Sequence, residues 1–169
     1  MSVNVPEKWK KISPKNYKSL GLIDNDLVSC VASYFVEGEK PNIINFYDYS
    51  KHNEEFLVEL DKYYDEIEEI NELIDGDPDD EDYESTATIR SLYHGFLNDT
   101  KNTTYLNISK VLVNDGYSCV LQLFLKGNNG IYCMEMNLYD VNEKTIVKDI
   151  KKNQIVLEAI QVLKSFANK

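Results

Sequence analysis

The stretch Tyr117 to Tyr139, YSCVLQLFLKGNNGIYCMEMNLY, decides the fold. Two runs rich in aromatic, β-branched and long apolar residues flank a GNNG turn at 127–130, the signature of a β-hairpin. Setting Leu125 opposite Tyr132 brings Leu123 to Met134, Leu121 to Met136 and Cys119 to Leu138, so alternate residues build one apolar face. The reverse face then carries Gln122, Glu135 and Asn137 beside Val120, Phe124 and Ile131, a mixed surface expected to be half covered. Because side chains alternate, Cys119 and Cys133 point to opposite faces and no disulfide between them is expected.

Working outward, Thr103 to Val113 and Thr86 to Leu97 read as two more strands. A two-residue Asp115-Gly116 turn predicts Leu112 opposite Cys119, Ile108 opposite Leu123 and Leu106 opposite Leu125, with Ser109 on the reverse face and Lys110 the one residue out of character on the apolar face. Leu27 to Val36 (LVSCVASYFV) and Ile43 to Tyr49 (IINFYDY), separated by EGEKPN, form a second predicted hairpin. Between His52 and Ile74 the residues Phe56, Leu60, Tyr63, Ile67, Ile70 and Ile74 recur at spacings of four and three, which predicts a helix with that face buried. Ser50 or Asn53 supplies a cap, and Gly76 and Pro78 end the helix within the acidic loop DGDPDDEDYE at 75–84.

A second helix, 153–166, places Ile155, Val156, Ala159, Ile160, Val162, Leu163 and Phe166 on one stripe and is the natural cover of the apolar face. Val5 to Leu22 is a mixed segment expected to lie over the edge of the sheet. The predicted fold class is α+β: an antiparallel sheet flanked by helices in the order β-β-α-β-β-β-β-α.

The 169 residues fit one domain, 1–169, with an acidic helix and loop at 52–85. Charge is uneven. From Glu54 to Glu84 there are 16 acidic residues and one base, Lys62, whereas the remainder holds 13 acids and 17 bases. So concentrated a negative surface repels nucleic-acid backbones and anionic membranes and attracts cations or a basic protein. No apolar run is long enough to span a bilayer, and Met1 to Ile12 lacks the apolar segment of a signal peptide, so a cytoplasmic location is expected unless a leader precedes Met1. Cys30, Cys119 and Cys133 form no CxxC pair and read as free thiols.

The element order, the segment VPEKWKKIS at Val5 to Ser13 and the ending LKSF at Leu163 to Phe166 resemble the PsbP-like superfamily. That group includes a photosystem extrinsic subunit, a nuclear-import factor that binds a small GTPase, and bacterial proteins of which some are chaperone adaptors for secreted effectors. The resemblance implies an α/β/α sandwich and a non-enzymatic binding scaffold. It carries no functional residue onto a numbered position.

Motifs for chemistry are missing: there is no GxSxG, no phosphate loop, no GxGxxG and no HExxH. The single arginine, Arg90, does not suit a site that must hold phosphate or carboxylate by paired donors. His52 and His94 are the only histidines, and no local motif joins either to a thiol as a catalytic dyad. The acidic run Asp75, Asp77, Asp79, Asp80, Asp82 and Glu84 offers oxygen ligands, but Asp80 stands where a calcium loop needs glycine and Thr86 where it needs glutamate. These six residues are instead the expected partner-binding surface, with no catalytic residue, metal site or cofactor. The function expected is a non-catalytic bacterial protein-binding domain, a toxin-immunity protein or secretion adaptor that receives a basic partner. The alternative is a domain that binds a cation or small ligand.

Overall fold

The alternation of apolar and polar residues resolves into strands that all lie in one sheet. The computed structural model describes residues 5–22, 25–53, 55–75, 89–97, 103–113 and 116–168. Its strands are β1 (Trp9–Lys11), β2 (Ser29–Val36), β3 (Asn42–Asp48), β4 (Ile89–Phe96), β5 (Thr104–Val113), β6 (Gly116–Gly127) and β7 (Gly130–Leu138). The helices are α1 (Phe56–Asp75), α2 (Ile146–Ile150) and α3 (Gln154–Ala167). The seven strands are ordered β1-β2-β3-β7-β6-β5-β4 and every pairing is antiparallel. The α+β class and both hairpins are as the sequence predicts. Strand β1 and the single-turn α2 are additions.

Each face of the sheet has its own core. One gathers Ile44, Phe46, Leu106, Ile108, Leu121, Leu123, Met134 and Met136 under Val156, Ala159, Val162 and Leu163 of α3. The other gathers Tyr47, Tyr105, Phe124, Ile131 and Cys133 under Leu57 and Tyr64 of α1. Helix α3 starts where Asn153 accepts hydrogen bonds from the Ile155 and Val156 N–H groups at 3.0 and 3.2 Å, satisfying donors that a helix start leaves free. Burying a valine or leucine side chain contributes roughly 1.5–3 kcal/mol, so α3 holds on by its stripe.

The register of β6 on β7 is the predicted one, with Leu125 opposite Tyr132 and Cys119 opposite Leu138. At the tip, a Cβ on Gly127 would lie 2.1 Å from the Ala167 carbonyl oxygen, and one on Gly130, at φ +141°, would lie 2.3 Å from the Ser50 Cβ. Glycine at both positions lets the end of α3 and the chain after β3 close on the turn. Cys119 packs with the α3-side core and Cys133 with the α1-side core.

Two expectations need correction. Strand β5 meets β6 with Leu112 opposite Tyr117, Ile108 opposite Leu121 and Leu106 opposite Leu123, a register two residues from the predicted one. Val113 pairs with Gly116, so glycine closes the ladder and does not sit in the connection. A shift of two keeps every side chain on its expected face, and the apolar face survives. The out-of-place Lys110 makes an ion pair with Glu143.

The second correction concerns α1. Leu57 and Tyr64 are its buried residues, whereas Tyr63 and Ile70, expected inside, are 49% and 53% exposed. The helix is rotated by about one residue position, because an apolar spacing of four and three leaves two neighbouring stripes nearly equal. Which of them turns inward is settled by polar side chains that bind strand β4.

Candidate functional site

The site begins with the reverse face of the sheet, where the pairings align one polar row across six strands: His94, Asn107, Gln122, Glu135, Asn45 and Ser33. Two residues along each strand, or three on β2 where a bulge lies between Cys30 and Ala32, the row is Phe96, Tyr105, Phe124, Cys133, Tyr47 and Cys30. The apolar row lies under the first half of α1, and the polar row satisfies itself. Asn107 donates through Nδ2 to Tyr64 Oη at 2.8 Å and to Gln122 Oε1 at 3.1 Å, while Ser109 Oγ donates to Asn107 Oδ1 at 3.0 Å. Gln122 Nε2 donates to Glu135 Oε2 at 2.8 Å, and Ser33 Oγ to Asn45 Oδ1 at 2.7 Å. A network with its groups paired carries little penalty for burial. A cleft of about 220 Å³ opens over it, lined by Tyr64, Asn107, Ser109, Gln122 and Glu135.

Helix α1 is fastened to β4 at the rim of this cleft. A bulge between Ser91 and Tyr93 breaks the alternation of β4, so Ser91 and His94, which a regular strand would point to opposite faces, turn to the same side. His94 then bridges Ser91 Oγ on Nδ1 and Asp65 Oδ1 on Nε2, both at 2.9 Å. Glu68 Oε1 accepts the Ser91 N–H at 2.8 Å, and Asn71 Nδ2 donates to the Ile89 carbonyl at 2.9 Å. Three successive inward positions of the helix thus bind the strand by polar contacts.

Ser91, His94 and Asp65 are the residue types of a hydrolytic relay, and His94 is held as such a base would be. The surroundings oppose that chemistry. The Ser91 N–H, the first donor available to an oxyanion on a Ser91 adduct, already serves the Glu68 carboxylate, whose charge would repel that oxyanion. The arrangement acts as a latch between helix and strand.

Two of the three thiols, Cys119 and Cys133, are poor nucleophiles. Burial pushes Cys119 up to about 11, with the Lys110 charge opposing and Glu143 adding. Burial, followed by Glu135, also raises Cys133 well above the ordinary thiol value. Both ring nitrogens of His94 are engaged by Ser91 and Asp65, not by a thiol, and His52 stacks against Phe56 at 4.2 Å and Tyr49 at 5.5 Å between ring centres.

The outward side of α1 has a different character. Tyr63, Ile70 and Leu73 are 49%, 53% and 85% exposed and, at i, i+7 and i+10, fall on one stripe. Glu59, Glu66, Glu69 and Glu72 flank them, all exposed. Among the six expected partner-binding residues, Asp75 closes α1, while Asp77, Asp79, Asp80, Asp82 and Glu84 lie outside the described residues. Sequence reasoning missed the apolar stripe by assigning Tyr63 and Ile70 to the core and giving Leu73 no place. The signal that separates the two stripes is the polar set Asp65, Glu68 and Asn71, which follows the inward side.

Among the described residues, no group of three histidine, cysteine, aspartate or glutamate side chains converges as a metal ion would require, and no helix is long and apolar enough to cross a membrane. No model of a known protein family matches the chain, and no curated protein matches it in sequence.

Proposed function

We propose that this chain is a non-catalytic protein-binding domain whose docking surface is the outward side of α1. The observation that carries the reading is the exposed stripe of Tyr63, Ile70 and Leu73 set among glutamates. A single exposed leucine is ordinary, but several exposed apolar residues sharing one stripe are the kind of surface that a partner covers. Apolar contacts supply affinity and the acidic flanks supply steering and choice of partner. The complementary surface is a basic protein segment with apolar side chains between its lysines or arginines. Asp75, Asp77, Asp79, Asp80, Asp82 and Glu84 extend the negative field along the chain.

A cytoplasmic toxin-immunity protein or secretion adaptor fits this chemistry, since both neutralise or escort a partner. The element order also agrees with the sandwich that the PsbP-like resemblance implies, and we propose membership on that ground together with the short segments at 5–13 and 163–166. The engaged Ser91 N–H supports a binding role over hydrolysis.

The test compares the wild type with Ile70→Ser/Leu73→Ser after co-purification from the native host at low and moderate salt. The expected result is a stoichiometric basic partner that weakens with salt and is lost in the double variant, whose circular dichroism stays unchanged. A partner retained by the double variant, or no stoichiometric partner at either salt, overturns the reading. The cation alternative is checked by titration with calcium, where saturable heat would favour it.

A further inference from the structure

The opposite face of the sheet holds a second feature that partner docking does not use. Helix α3 packs on β6 and β7, and among the described residues the apolar face toward β4 and β5 is bordered by the short α2 and the residues just before it. There an apolar cavity of about 120 Å³ lies between Leu106, Leu121 and Leu123 of the sheet and Val156 and Ile160 of α3. Its size is near that of apolar cavities, about 150 Å³, that stay dry and admit benzene.

The cavity adjoins an open groove of about 500 Å³, and Val147 and Lys151 line both. The wider part has Leu92 and Tyr93 on one wall and Lys144, Lys148 and Lys151 on the other. The bulge in β4 turns these two adjacent apolar residues toward the same core. Glu143 also lines the groove, but its carboxylate pairs with Lys110, and Asp149 accepts from Thr145 Oγ1. Among the described residues, Lys144, Lys148 and Lys151 have no acidic partner.

A dry, narrow end and a basic mouth match a molecule with an apolar tail and an anionic head. We propose that this channel binds a single-chain fatty carboxylate of medium length, its chain in the cavity and its carboxylate among Lys144, Lys148 and Lys151. A helix or strand of a partner is too thick for the inner cavity, whereas an extended acyl chain is not. The surface charge agrees, because the lysines lie across the sheet from acidic α1.

Calorimetric titration with octanoate, decanoate, decanol and decyltrimethylammonium, each below its micelle concentration, tests this. Each methylene buried contributes about a fourfold gain, so decanoate, with two more, is expected to bind roughly fifteenfold more tightly than octanoate and more tightly than decanol, with no binding of the cation. Lys148→Glu/Lys151→Glu is expected to weaken decanoate and leave decanol unchanged, and Ile160→Trp, which fills the cavity, to weaken both. Absence of saturable decanoate binding overturns the proposal. So does equal binding of decanoate and decanol that the lysine variant does not alter. Self-association relieved by the lysine variant, with no decanoate binding, would assign the groove to a second copy of the chain instead.

Discussion

Tyr64 joins the helix to the buried polar row, and its ionisation reports on both. Burial, then the neighbouring Tyr63, Cys133 and Glu135, push its hydroxyl up to about 12, against a smaller opposing effect of the Asn107 hydrogen bond. In the unfolded chain a tyrosine titrates near about 10. Between these values the unfolded state has lost a proton that the folded state keeps, so stability falls as pH rises and is unaffected below about pH 9. Two units correspond to on the order of 2–3 kcal/mol. Urea denaturation at about pH 8 and about pH 11 is expected to show about half of this loss, since about pH 11 lies midway between the two values, and Tyr64→Phe is expected to reduce its steepness. Superimposable pH profiles for variant and wild type would rule Tyr64 out. Tyr49 and Tyr105, raised chiefly by burial, act in the same direction and account for what remains in the variant.

At the scale of elements, the β6–β7 hairpin is legible because turn and alternation agree, and because its two glycines are demanded by contacts on both sides. Gly127→Ala is expected to destabilise by about 1–3 kcal/mol, the usual cost of overpacking, and to speed hydrogen exchange in the last turn of α3. Gly116→Ala, where an added Cβ meets nothing within 4 Å, is the control. Equal effects of the two would refute the clamp. The register of β5 was less legible: burial dictates which face a residue takes but not its step along the partner strand. The bulge in β4 leaves no mark on composition, so the pairing of Ser91 with His94 was hidden. Helix α1 was recognised, yet its orientation follows from tethers to a strand distant in sequence. Of the candidate site, the acidic character was readable and the exposed apolar stripe was not, since periodicity alone cannot say which side of a helix is covered.

Across the whole molecule, the sheet separates two surfaces of opposite character. The α1 side carries glutamates around exposed apolar residues, and the α3 side carries lysines around an apolar opening. Exposed charges on opposite sides of the sheet are separated by packed layers about 10 Å apart and are screened by salt over about 8–10 Å, so each keeps its field. The two binding proposals are thereby separable: Ile70→Ser/Leu73→Ser addresses one and Lys148→Glu/Lys151→Glu the other.

The contacts from Glu68 and Asn71 to β4 have a further consequence for the fate of the sheet in a crowded solution. Strand β4 is an outermost strand, and its outward amide and carbonyl groups are a template on which another chain can add. Glu68 takes the Ser91 N–H and Asn71 the Ile89 carbonyl, which removes one donor and one acceptor that an incoming strand would need. Glu68→Ala/Asn71→Ala is accordingly expected to shorten the lag of thioflavin-positive fibril growth severalfold at equal concentration. An unchanged lag would mean that the border is guarded elsewhere. The same two side chains that tether α1 to the sheet thus occupy backbone groups through which the protein could otherwise polymerise.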